Sequence, residues 1–145
     1  MLLITEADLF KGVSQRAMSK IGGECTDEAF KRGAGIFKAG EEAAYFYVLL
    51  DGSVDISAGT KDSLHFAVSR PGAVIGWSAL VEPFAYTASA SAMTPVKVIK
   101  VPREAIEHVL KKYPEDGLLI LRHLTGIIAQ RLRDAYANVA SEAPI

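Results

Sequence analysis

Hydrophobic and polar positions divide the chain into three stretches. In residues 5–24 the apolar positions recur at helical spacing. Thr5 followed three residues later by Asp8 resembles a capping box. After a break at Lys11-Gly12, Ser14 can cap a second short helix with Ala17, Met18 and Ile21 on one face, and Gly22-Gly23 ends it. Residues 26–101 change to a β pattern, with short runs at 28–31, 36–38, 45–50, 53–57, 64–68, 86–93 and 96–101. Apolar and polar residues alternate strictly in Ser53-Val54-Asp55-Ile56-Ser57, as on a strand with one buried face. Glycines at 33, 35, 40, 52, 59, 72 and 76 punctuate the runs, and Asp51-Gly52 reads as a hairpin turn. Many short strands between turns predict a sandwich or jelly roll, not a parallel sheet. Trp77-Ser78-Ala79-Leu80-Val81 interrupts them as one or two helical turns, stopped near Pro83.

Residues 102–140 return to a helical period. Pro102 suits a first helical position, and Ile106, Val109 and Leu110 form the buried face that follows. Tyr113-Pro114 marks a break and a new N-terminus, with Glu115 and Asp116 favourably placed beside the helix dipole. The last helix is predicted to run to about Asn138. Its main apolar stripe is Leu118, Leu121, Thr125, Ile128, Leu132, Ala135 and Val139, widened by Ile120, Leu124 and Ile127. Residues 141–145 are expected to form a disordered tail.

Composition narrows the picture. The 145 residues suit one domain spanning 1–145, large enough to bury a core without disulfides or metal. Half are hydrophobic (50%) and 23% are charged, which excludes disorder for the chain as a whole. With 16 basic and 17 acidic residues the net charge is −1, so no basic excess marks a nucleic-acid binder. The single cysteine, Cys25, excludes an internal disulfide and a cysteine-cluster zinc site, and reads as a small buried or half-buried side chain. The start, Met1-Leu2-Leu3-Ile4-Thr5-Glu6, lacks the basic region of a secretory signal. No apolar run approaches the ~20 residues that span a bilayer. The expected location is therefore the cytoplasm, with no membrane contact.

Three motifs in order carry a resemblance: Gly35-Ile36-Phe37-x-x-Gly40, then Phe46-Tyr47-x-Leu49-x-Asp51-Gly52-x-Val54, then Pro71-Gly72-x-x-x-Gly76. With the order of elements, they make the chain resemble the cyclic nucleotide-binding domain family over about residues 5–137. That family includes catabolite-activator-type regulators and the regulatory subunits of cyclic-nucleotide-dependent kinases. The resemblance implies a mainly β fold with flanking helices: an eight-stranded jelly roll with N-terminal helices, a short phosphate-binding helix between two strands, and two C-terminal helices. The family's ligand cassette, Gly-Glu-small-Ala-Leu, a short gap, then Arg-Ser/Thr-Ala, matches as Gly76-Trp77-Ser78-Ala79-Leu80 and Tyr86-Thr87-Ala88. Gly76, Trp77, Ser78, Ala79, Leu80, Tyr86 and Thr87 are thus the expected ligand-binding residues. In the family the acid takes the ribose hydroxyl and the arginine pairs with the cyclic phosphate at a helix N-terminus.

The chain departs from the family at both of these positions: Trp77 replaces the acid and Tyr86 the arginine. A charge-assisted hydrogen bond contributes about 1.5–3 kcal/mol, so losing the arginine alone should weaken phosphate binding by about one to two orders of magnitude. No cofactor is assigned with certainty; cyclic nucleotide stays open as the ligand but is disfavoured. Two further readings stand ahead of it. Trp77 and Tyr86 are core aromatics that close a dead pocket, or they line a live pocket for a more apolar or aromatic small molecule. Arg70, before Pro71 at a strand end, is not placed in the pocket by sequence.

No other constellation competes. His65, His108 and His123 are scattered with no H-x-H pair, so a cupin-type metal site is not supported. No serine has the context of a nucleophile elbow, and no acid–base pair stands out, so an enzyme is not expected. Lys111-Lys112, Arg122, Arg131 and Arg133 read as solvated helix faces. The apolar stripe of the last helix could pair with a second copy, and the family often dimerises there, so a homodimer through that helix is expected. A protein partner is the other expected contact. Direct nucleic-acid binding is not expected, because no basic helix-turn-helix follows the last helix. The function expected is a non-enzymatic small-molecule sensor with weak or no cyclic nucleotide binding. The alternative is a ligand-independent dimeric interaction domain with a closed pocket.

Overall fold

The structure, a computed structural model, describes residue 4 and residues 7–58 and 64–142, with backbone alone from 138 onward. A 3-10 turn at Asp8–Phe10 precedes α1 (Gln15–Gly22). Eight strands follow: β1 (Thr26–Phe30), β2 (Gly35–Phe37), β3 (Tyr45–Asp51), β4 (Val54–Ala58), β5 (Leu64–Val68), β6 (Val74–Ile75), β7 (Ser89–Ala92) and β8 (Val96–Pro102). A second 3-10 helix, Trp77–Leu80, lies between β6 and β7, and α2 (Arg103–Lys112) and α3 (Pro114–Glu142) close the chain. The strands form two antiparallel four-stranded sheets, ordered β1-β8-β3-β6 and β2-β7-β4-β5. This is the expected jelly roll.

The core explains the sequence pattern. β3 is apolar almost throughout because both of its faces are covered. The Tyr47 ring stacks on Phe37 of the opposite sheet at 6.2 Å, and Phe46 meets Phe10 of the N-terminal turn at 6.4 Å. β4 alternates because only Val54 and Ile56 point inward. Ser14 caps α1 as expected, accepting the Ala17 N–H at 3.3 Å, and Ala17, Met18 and Ile21 are buried. The Ser14 amide and hydroxyl also donate to the two Asp116 carboxylate oxygens at 2.8 and 2.6 Å, which ties α1 to the first turn of α3.

Several expectations need correction. Thr5 of the expected capping box lies outside the described residues, and the Asp8 carboxylate pairs with Arg70 instead. Asp51-Gly52 is a turn but not a hairpin: β3 and β4 belong to different sheets, so the chain crosses the sandwich there. Gly52 has φ +100°, and a Cβ would lie 2.3 Å from the Pro95 carbonyl oxygen, so the turn is fixed by its packing on the Thr94-Pro95 turn. β6 sits inside a continuous apolar stretch that has no period of two, and the 86–93 run shrinks to Ser89–Ala92. Pro102 ends β8 and precedes α2 as its N-cap. The last helix continues to Glu142, since no breaker interrupts residues 138–142; residues 143–145 lie outside the described part.

The apolar surface of α3 also divides differently from the expected stripe. Ile120 and Leu124, which only widen the stripe expected from sequence, are the buried ones. Leu118, Leu121 and Leu132 of the main stripe are exposed at 53%, 36% and 49%, joined by Tyr136 at 65%. The side chain of Val139 lies outside the described part.

Candidate functional site

The turn after β6 begins at Gly76, which adopts φ +82°. A side chain there would touch the rings of Phe37 and Tyr86, each 3.2 Å from a Cβ, so glycine is needed for both conformation and space. The 3-10 helix that follows is a single turn: the Ala79 N–H donates to the Gly76 carbonyl at 3.1 Å and the Val81 N–H to Ser78 at 3.2 Å. Around it, five of the seven expected site residues (Gly76, Trp77, Ser78, Tyr86 and Thr87) come together with Phe37, Ile56, Ala88 and Arg131 about one small cavity. Its volume is about 30 Å³. That holds roughly one water molecule, whereas small-molecule sites run to about 300–1,000 Å³.

Tyr86 accounts for most of this closure. It is buried, and its ring stacks on Phe37 with centroids 3.9 Å apart and planes 13° from parallel. Its hydroxyl donates to the Tyr45 carbonyl at 2.6 Å. Burial pushes its phenol above the ordinary value, so the group stays neutral. Trp77 is half-buried against the core and forms another wall, Ser78 is buried, and Thr87 is exposed at the rim.

The other two expected residues face elsewhere. Ala79 is fully buried, and its carbonyl accepts the Arg103 Nε–H at 2.9 Å. Leu80 borders a separate cavity of about 140 Å³ with Phe84, Arg103 and Leu121. Arg103, the first residue of α2, also donates to the Ala43 carbonyl at 2.6 Å and lies 4.0 Å over the Phe84 ring. It therefore pins the 3-10 helix to the start of α2.

Sequence reasoning missed Arg131. Sequence places it on a solvated face with Arg122 and Arg133, and those two are exposed. Nine residues at about 100° each place Arg131 on the opposite side of the helix from Arg122. It is half-buried, and its guanidinium donates to the Val74 carbonyl at 2.8 Å. Desolvation lowers its pKa from the ordinary value. Arg131 is the one charged side chain among the residues lining the cassette cavity. Only its helical phase could have pointed to it. Arg70, which sequence left unplaced, turns to Asp8 and does not line this cavity.

The remaining candidates are dispersed. His65 pairs with Asp55 at 3.0 Å and His108 with Glu24 at 3.1 Å. Among the described residues no three His, Cys, Asp or Glu side chains gather as a metal site. Cys25 is half-buried, its Sγ lies 3.1 Å from the Ile21 carbonyl oxygen, and burial pushes its thiol up to about 11. No helix among the described residues is long and apolar enough to cross a membrane.

Comparison with known proteins bears on this geometry. The sequence profile for the family "Cyclic nucleotide-binding domain" matches residues 27–113. The chain is similar to a CRP-like cAMP-activated global transcriptional regulator of Mycobacterium tuberculosis, 26% identical over 95% of this chain and 61% of that protein. It is also similar to a global nitrogen regulator of Nostoc sp., 35% identical over 71% of this chain and 48% of that protein. The chain thus spans about three fifths or less of these curated relatives. Among solved structures, a cyclic nucleotide-binding domain from Methylobacillus flagellatus shares the fold, with a TM-score of 0.81 at 21% identity over 98% of this chain and 81% of that one.

Proposed function

The chain belongs to the cyclic nucleotide-binding domain family, and on that premise we propose that it is a non-enzymatic regulatory module, a small-molecule sensor whose cassette binds cyclic nucleotides weakly or not at all. The observation that carries this is the cavity of about 30 Å³ beneath the cassette, walled by Trp77 and Tyr86 where the family has its acid and arginine. A cyclic nucleotide needs roughly ten times that space at the low end of ligand sites. It would also meet a stacked aromatic pair in place of a phosphate-binding cation. Arg131, which also lines the cavity, is the cation that a re-lined pocket would use. Calorimetric titration with cyclic AMP and cyclic GMP tests the reading: neither should bind with a Kd at or below about 100 μM. Micromolar binding of either overturns it.

A second reading has its own support. The Phe37–Tyr86 stack and the exposed Leu118, Leu121, Leu132 and Tyr136 together fit a closed interaction domain that pairs through α3. In both readings α3 supplies a homodimer seam and the module works in the cytoplasm through a protein partner. Sedimentation of the wild-type chain beside Leu121→Glu/Leu132→Glu tests the seam: the wild type should sediment as a dimer and the variant as a monomer. A monomeric wild type removes the seam from both readings.

A further inference from the structure

Arg131 has a second side. Beyond it, between the N-terminal turn, the turn joining β5 to β6, and α3, lies a groove of about 300 Å³. Its floor includes Val74 and Ile127, and its polar lining is Lys11, Arg70, His123, Gln130 and Arg131 with a single carboxylate, Asp8. That carboxylate is already used, because both of its oxygens take Arg70 guanidinium donors. Arg131 has no ion-pair partner among the described residues and makes one hydrogen bond, to the neutral Val74 carbonyl. A guanidinium has five N–H donors in a fork suited to a carboxylate or phosphate. The nearest carboxylate along the helix, Asp134, accepts from Gln130 at 3.0 Å instead. Lys11 likewise has no ion-pair partner among the described residues. Its carbonyl is held by His123, whose Nε2 lies 2.7 Å away and must carry the proton, since a carbonyl can only accept. The backbone that carries Lys11 is thereby fixed against α3. Asp134 acts on Arg131 through space without contacting it, and a half-buried cation with no carboxylate in contact is costly, so a groove that keeps one beside a second cation favours an anion.

We propose that this groove binds a small oxyanion, a carboxylate or a phosphate, through Arg131 and Lys11. The site is separate from the cassette and shares only Arg131 with it. Its volume sits at the lower end for small-molecule sites and suits a dicarboxylate or a phosphate group better than a nucleotide. An anion held there would bridge α3, the N-terminal turn and the β5–β6 turn, and would clamp the long helix to the roll.

The test is calorimetric titration of the full chain with inorganic phosphate and, separately, with succinate, at constant ionic strength and with sodium chloride as control. Saturable binding is expected for at least one of the two, and the tighter one identifies the chemical source, phosphate or carboxylate. Arg131→Gln should weaken it by at least about tenfold, and Lys11→Gln by several-fold, as charge-assisted bonds are lost. Lys97→Gln, which removes an exposed positive charge on β8 away from the groove, should leave the affinity within about twofold. Absence of saturable binding of either probe up to about 10 mM overturns the proposal. So does an affinity that Lys11→Gln leaves unchanged, or one that Lys97→Gln weakens as much as Lys11→Gln does. If Arg131→Gln does not fold, the exposed Lys11 decides alone, through Lys11→Gln and the charge reversal Lys11→Glu. The cyclic nucleotide titration reads the cassette independently, so either conclusion can fail without the other.

Discussion

Arg131 stands between two cavities of opposite character. On the cassette side, Phe37, Trp77 and Tyr86 close about 30 Å³ with aromatic surface. On the other side, Lys11, Arg70 and His123 border about 300 Å³. Aromatic rings gain by filling space, so they shut the cassette on themselves. Charged groups lose by being packed together without counter-ions, so they keep their groove open to water. The contrast separates two things that the family's cassette ordinarily combines, the glycine turn and the anion-binding cation. Here the turn remains at Gly76, while the cations line the neighbouring groove, Arg131 from α3 and Lys11 and Arg70 from the turns that face it.

The largest expected break in this contrast is Tyr86→Ala. It removes the Phe37 stack and the bond to the Tyr45 carbonyl, and should cost about 3–5 kcal/mol in urea unfolding. A loss below about 1 kcal/mol would mean that the ring does not hold the cassette shut. Next comes Trp77→Glu/Tyr86→Arg, which restores the family's acid and arginine. Cyclic AMP affinity should rise at least about tenfold by calorimetry, and no gain would mean that the cavity is closed by more than these two side chains.

Alkaline pH gives a smaller effect with a definite sign. The unfolded phenol ionises near 10.0, while burial holds folded Tyr86 above that. Past pH 10 the unfolded chain therefore loses a proton that the folded chain keeps, and stability falls as pH rises. Tyr86→Phe should remove this part of the alkaline loss, at a cost of about 1 kcal/mol at neutral pH for the missing hydrogen bond. Lys11→Gln, on the polar side, should change unfolding stability by no more than about 0.5 kcal/mol, whatever it does to anion binding.

Much of the fold was legible because local chemistry carried it. Ser14 at a helix start, Pro114 at a break and the alternation of Val54 and Ile56 each state their structure within a few residues. Gly76 did so as well, since its turn needs a left-handed backbone. What was not legible depends on distant partners. Asp51-Gly52 has the chemistry of a hairpin, but which sheet receives the next strand is decided by pairing with β7, far along the chain. β6 is two residues long and buried on both sides, so it carries no alternation to read. On α3 both the inner face and the outer stripe are apolar, and composition alone does not rank them. The cassette was found by its glycine pattern and its two departures, but its true volume depended on Phe37, and its charge on Arg131, 57 residues from the Val74 carbonyl that holds it.

The double hydrogen bond between Ser14 and Asp116 joins residues 102 positions apart. β1 likewise waits for β8, its partner from Thr26↔Lys100 to Phe30↔Val96. During synthesis the first helix and first strand would leave the ribosome long before the segments that complete them. Such non-local closure makes folding slow and leaves early edges uncovered in the meantime. The molecule is in this sense fastened at its seam last, and shortening the chain at one end would loosen the other.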